Sequence, residues 1–261
     1  MSTDKNRMPV VFSGHGSPMV ALEDNEITRG MEQVGKTVLE KYGKPKAILA
    51  ISGHWFVDGS RIQSAEEPKQ VYDMYGFPRA LYELKYPVKG YRNLTTSVQR
   101  LLGDTVKVND DWGIDHGTWT VLVHMFPKAD IPVVQLSVDK KLSAKECFEL
   151  GQKLTALRED GYLIFGSGNV VHNLGRVDWD NEGGTEMTER FNDQITKAVV
   201  EGDNETVINY TKLQDAAYAV PTPDHYLPLL YCLGAADGDS AEVFNKICNL
   251  GSMAMTGYIW G

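Results

Sequence analysis

Four runs of nearly uninterrupted apolar residues mark the chain: PVVFSG (9–14), KAILAISG (46–53), IPVVQLSV (131–138) and GYLIFGSG (161–168). A strand with one face in water alternates apolar and polar positions. Continuous runs like these read as strands covered on both faces. Between and after them lie segments with helical spacing. In the clearest, Ser143 and Glu146 make a capping box, Cys147, Leu150, Leu154 and Leu157 share one face, and Gly161 follows as a stop. Residues 90–103 and 186–202 read as two further helices. Near 222, Thr222 can cap a helix with Pro223 in its first position, which puts Asp224 and His225 in the first turn ahead of the apolar run Leu227 to Leu233. Residues 56–90, rich in Tyr, Pro and Gly, read as an excursion or lid, and 251–261 as a final edge strand. Alternating strands and helices predict an α/β fold: one domain over 1–261, with a central mixed, largely parallel sheet flanked by helices.

Composition narrows the partners. The 261 residues carry a formal charge of −9, and the pI is about 5.2. Nucleic-acid binders present a basic stripe, so a nucleic-acid partner is not expected. With no run of about 20 apolar residues, no membrane span is expected. The first twelve residues hold no apolar signal segment, and Cys147, Cys232 and Cys248 are widely spaced and odd in number. A cytoplasmic, reducing setting follows as the expectation. An acidic surface suits a monomer or a homodimer.

The candidate chemistry lies in the histidines. There are six. His15 in SGHGSP and His54 in SGHW follow the first two strand runs, at the carboxyl ends where open α/β sheets bind ligands. Gly14, Gly16 and Gly53 read as turn-forming neighbours. His172 follows the fourth run, past a Gly166–Asn169 turn that suggests close backbone approach to something. His116 sits in DHG between Trp112 and Trp119, aromatics that either wall a pocket or pack as core. His124 lies in a helical stretch without glycine and reads as structural. Imidazole is both the commonest metal ligand and the usual acid/base near neutral pH, so five turn-placed histidines point to one metal or acid/base site. HExxH, the P-loop and GxSxG are all absent from the sequence, which argues against a nucleophilic serine hydrolase.

Taken together and in order, GHGSP, SGHW, DHGTW, GSGNVVHN and PTPDHYLPLL resemble the class III extradiol ring-cleaving dioxygenases. These belong to the superfamily of the protocatechuate 4,5-dioxygenase β subunit, and the motifs are most similar to its DOPA-dioxygenase subgroup. The resemblance spans residues 14 to 230. It implies a non-haem metal at the carboxyl ends of the strands, held by His15, His54 and His225. His172 would be the catalytic acid/base, close enough to coordinate as well, and His116 would bind substrate or oxygen. Fe²⁺ is the implied cofactor for activity, and Zn²⁺ suits the same nitrogen ligands. An all-histidine set leaves the metal's double charge uncancelled, favouring an incoming catecholate. Asp224 and His225 diverge as neighbours, so only one is expected at the metal. The implied partners are a DOPA-like catechol and O₂. The implied product is a muconate semialdehyde. The alternatives are a zinc-dependent hydrolase, or a non-enzymatic ligand- or peptide-binding relative on the same fold.

Overall fold

A computed structural model describes residues 7–261. The strands are β1 (Val10–Gly14), β2 (Ala47–Val57), β3 (Ser60–Ile62), β4 (Val106–Val108), β5 (Val133–Asp139), β6 (Tyr162–Gly168), β7 (Ala241–Phe244), β8 (Cys248–Asn249), β9 (Met253–Ala254) and β10 (Gly257–Trp260). Eight of them form one sheet in the order β4-β3-β5-β2-β6-β1-β10-β7, while β8 and β9 pair apart from it. The four apolar runs became the contiguous centre. There β2 lies parallel to both β5 and β6, and β6 parallel to β1. Antiparallel neighbours flank this centre, β3 beside β5 and β10 beside β1.

Why these runs lack polar alternates is now plain. Successive side chains of a strand point to opposite faces. Val10, Phe12, Leu49 and Ile51 enter one core, and Val11, Ile48 and Ala50 the other. All seven are fully buried. Helices α1 (Glu26–Thr37) and α4 (His116–Met125) contribute to the second core. The short α2 (Arg79–Glu83) adds Leu81 to the same side. The first core is covered by α3 (Arg92–Leu102), α5 (Ala144–Leu154), α6 (Ala156–Glu159), α7 (Glu186–Glu201), α8 (Asn204–Ile208), α9 (Ala216–Ala219) and α10 (Leu227–Ala236). The capping box is present: Ser143 N–H donates to Glu146 Oε2 at 2.8 Å, and Glu146 N–H to Ser143 Oγ at 3.3 Å.

Two expectations change. The C-terminal strand β10 is interior, because β7 pairs along its outer side. Tyr258 and Trp260 on β10 are buried and need that cover, whereas β7 is half-exposed and suits an edge. The helix expected from Pro223 starts at Leu227 instead, with Pro228 in its first turn. Residues 223–226 form a turn in which Pro223 O accepts from Tyr226 and Leu227 N–H. Among the described residues, no helix is long and apolar enough to cross a membrane.

At the α5–α10 crossing the two helix backbones pack in direct contact. A Cβ at Gly234 would lie 2.1 Å from Phe148 O, and one at Gly151 2.2 Å from Tyr231 O. Alanine in place of a mid-helix glycine normally gains about 1 kcal/mol. Forcing two backbones apart costs about 1–3 kcal/mol and outweighs it. Gly234→Ala should therefore lower stability by up to about 2 kcal/mol, read as a lower urea midpoint at unchanged slope. A higher midpoint would contradict this packing.

Candidate active site

His15 is the first residue after β1, as its motif suggests. His54 differs: it lies inside β2, where the register with β5 shifts between Ser52 and Phe56. Such an irregularity re-aims a side chain without ending the strand. The glycines here make room more than they make turns. A Cβ at Gly53 would meet Asp224 O at 2.8 Å, and one at Gly168 would meet His225 O at 2.1 Å. The 223–226 turn therefore sits directly on β2 at Gly53 and on the end of β6, held by Asn169 N–H donating to His225 O at 2.9 Å. That contact carries His225 to the place where β2 delivers His54.

Three imidazoles converge there. His54 Nε2 is 3.1 Å from His15 Nε2 and 3.3 Å from His225 Nε2. Each ring is held from behind at Nδ1. His54 Nδ1 is 2.9 Å from Asp73 Oδ2, and His15 Nδ1 is 2.9 Å from Ser167 Oγ. His225 Nδ1 bonds Asp224 Oδ2. A carboxylate only accepts, so His54 and His225 carry their proton on Nδ1. The Ser167 hydroxyl spends its own proton on Gly117 O, so it too accepts from Nδ1 of His15. The Nε2 lone pairs of His15 and His225 thus both face that of His54 at contact distance, with two carboxylates behind the rings. This arrangement is repulsive by itself and becomes favourable around a cation. The donor set fits a divalent metal, and its back-side hydrogen bonds are those that orient metal-bound histidines.

His116 and His172 flank the trio. His116 begins α4, its Nδ1 2.9 Å from Asp73 Oδ1 and its ring centroid 3.9 Å from that of His54. His172 stacks on His225 with centroids 3.6 Å apart and planes 5° off parallel. All five line a cavity of about 490 Å³ together with Met74, Tyr75, Phe77 and Trp179.

The comparisons with known proteins agree with this geometry. Residues 9–260 match the model of the catalytic LigB subunit of aromatic ring-opening dioxygenase. The chain belongs to that family. It is an extradiol aromatic ring-opening dioxygenase. It is 42% identical over 238 residues to the 4,5-DOPA dioxygenase extradiol of Escherichia coli K12, covering 89% of this chain and 86% of that one. It is 34% identical to the 4,5-DOPA dioxygenase extradiol of Beta vulgaris, covering 99% and 98%. A crystal structure of an uncharacterised Escherichia coli K12 protein superimposes with a TM-score of 0.84 at 37% identity, covering 98% of this chain and all of that one. The family and the histidine cluster together point to a bound metal.

Several residues of this dioxygenase site were not singled out from the sequence. Asp73 receives His54 Nδ1, His116 Nδ1 and the His116 N–H, tying two site histidines to the 56–90 excursion. Nothing about an aspartate in YDMYGFP marks it in advance. Ser167 was legible only as part of a glycine-rich turn. Asp224 Oδ2 accepts from His225 Nδ1, so the two neighbouring side chains meet instead of diverging, and the carboxylate backs the imidazole. Asp73 and Asp224 also amend the expected charge, because they offset a divalent cation that neutral ligands alone would leave uncompensated. Neither Trp112 nor Trp119 walls the cavity: Trp119 is core, and Trp112 Nε1 donates to Asp115 Oδ2. The aromatic lining comes instead from Tyr75, Phe77 and Trp179. His124 Nε2 bonds Val20 O at 2.8 Å, outside the site.

Burial and the neighbouring histidines hold His15 well below the ordinary imidazole range; burial also lowers His225, with Asp224 partly offsetting it. Burial lowers His116, against the pull of Asp73. Burial, with the neighbouring His225, pushes His172 down to about 2. Burial also opposes charge on His54, but the hydrogen bond it donates to Asp73 and the surrounding carboxylates raise it overall. Asp73 and Asp224 are held far below the carboxylate range by their histidines, against the effect of burial.

Two outcomes follow. Four histidines with lowered pKa take up protons more readily when unfolded, against one of opposite sign. Metal-free stability should therefore be full above about pH 6.5 and fall on acidification, by up to about 1.4 kcal/mol per pH unit for each unbalanced proton. Urea midpoints at pH 7.5 and 5.5 read this directly, and an unchanged or rising midpoint at the lower pH would contradict it. Asp73→Asn removes an obligate acceptor and should weaken metal binding about 10–100-fold, measured by competition with a zinc chelator. Unaltered affinity would show that Asp73 orients nothing.

Proposed function

We propose that the chain cleaves a DOPA-like catechol with O₂, with His15, His54 and His225 holding Fe²⁺ through Nε2. The observation that carries this reading is the convergence of three lone pairs whose Nδ1 atoms are already engaged. Bound there, Fe²⁺ supplies open positions and passes electrons between an aromatic ring and O₂. Zn²⁺ binds the same nitrogens without redox chemistry.

The remaining work falls to the protein. His172 makes no side-chain hydrogen bond with any described residue, and burial keeps it neutral. Its unengaged ring nitrogens can accept the proton of a catechol hydroxyl that a bound divalent cation would acidify, and return it as the ring opens. His116 carries its proton on Nδ1 toward Asp73, so its Nε2 faces the cavity as an acceptor for the second hydroxyl. The carbon–carbon bond beside the two hydroxyls breaks and both atoms of O₂ enter the product. That product is a muconate semialdehyde, formed without an external reductant. Three buried, unpaired cysteines support a reducing, cytoplasmic setting.

Anaerobic loading with Fe²⁺ followed by oxygen uptake with a catechol tests the reading. His172→Ala should keep its iron and lose about 10²–10⁴-fold in turnover, whereas His54→Ala should lose the iron. Normal turnover in His172→Ala would overturn the acid/base role. Turnover with zinc under strict anaerobiosis would favour a hydrolase.

A further inference from the structure

Asp115 is fully buried. Among the described residues only neutral donors reach its side chain: Thr118 N–H at 3.1 Å on Oδ1, with Trp112 Nε1 at 3.1 Å and Gln135 Nε2 on Oδ2. No lysine or arginine pairs with it there. A carboxylate buried without a cation is unfavourable, and neutral donors offset only part of that. Keeping the charge in this place calls for a positive charge nearby.

The position of α4 supplies the reason. Asp115 caps this helix, and its first turn packs against two of the converging histidines. A Cβ at Gly117 would lie 2.8 Å from His54 Cδ2 and 3.3 Å from His15 Cε1. Glycine at 117 therefore lets the helix start abut both rings. A helix N-terminus carries about half a positive charge, which opposes a divalent cation beside it. Two carboxylates sit on that terminus. Asp73 accepts the His116 N–H at 3.0 Å, and Asp115 accepts that of Thr118. Two full negative charges outweigh the helix and turn the field at the histidines negative. Against burial, and beyond the hydrogen bonds to Asp73, the charge of Asp115 favours the cationic form of both His54 and His116.

Resting on the metal and catechol reading above, we infer that Asp115 is a positioning residue whose buried charge reverses the field of the α4 N-terminus and strengthens the hold of the histidines on a divalent cation. Gln135, fully buried on β5, keeps the carboxylate in place. The same negative charge makes a bound cation less attractive to an anion. Asp115 thus acts in opposite directions on the affinity for metal and the affinity for a catecholate.

Asp115→Asn keeps a good helix cap and removes one charge. In chelator competition it should bind zinc about tenfold more weakly than the unaltered protein. Gln135→Ala loosens the clamp but keeps the charge, so its zinc affinity should stay well above that of Asp115→Asn. With both proteins saturated with zinc, 4-nitrocatechol is titrated and its ionisation followed by absorbance. It should bind Asp115→Asn about threefold more tightly than the unaltered protein. Loosened packing would weaken both ligands together. Unchanged zinc affinity in Asp115→Asn, or equal losses in Asp115→Asn and Gln135→Ala, overturns the inference. So does weaker binding of 4-nitrocatechol to Asp115→Asn. Failure of 4-nitrocatechol to bind either loaded protein counts against the catechol reading, while the order of zinc affinities still decides the role of Asp115. If Asp115→Asn does not fold, Asp115→Ser, which also caps a helix without charge, is judged by the same zinc comparison.

Discussion

The site rests on one electrostatic constraint: three imidazole lone pairs are aimed at one another. Asp73, Asp224 and Ser167 hold the Nδ1 atoms, so no choice of neutral tautomer relieves the repulsion among the Nε2 atoms. Such a cluster is stable only because the rest of the molecule imposes it. The central parallel strands supply rigidity, and their fully buried residues on both faces leave little freedom for the strand ends. A cation at the centre turns a strained arrangement into a bonded one, linking fold and metal affinity in the manner of metalloproteins whose ligands are held in advance.

How His225 reaches this point shows the cost of the geometry. Its backbone lies against Gly168 and Gly53, where any side chain would collide. The 223–226 turn is pressed onto the sheet by α10, fully buried along its length from Leu227 to Ala236. The glycines in these motifs are thus needed chiefly for contact between distant segments. Only Gly16, with φ of +57°, needs the left-handed backbone its motif suggests. Asp73 adds a second tether. It joins the 56–90 excursion to both His54 and His116, so the segment carrying Tyr75 and Phe77 to the cavity is anchored at the metal end.

Much of this was legible in the sequence, for physical reasons. Continuous apolar runs report double-sided burial, and so β1, β2, β5 and β6 could be read directly. Capping chemistry at Ser143 is local and could be read too. The five clustered histidines were marked by glycine and proline neighbours. What escaped depends on contacts between segments far apart in the chain. The position of β10 inside the sheet turns on β7, a short strand with weak patterning. Asp73 has its role only because the excursion folds back over β2 and α4. The helix start at Leu227 in place of Pro223 reflects a tertiary demand, since the turn must present His225 to the strand ends.

The most direct measurement is histidine proton–nitrogen NMR of the zinc-loaded protein, with resonances assigned by single substitution. The expected result is that His15, His54 and His225 each keep a proton on Nδ1, with Nε2 directed at the metal. Coordination through Nδ1 at any of the three, or a proton retained on Nε2, would contradict the convergent lone-pair site.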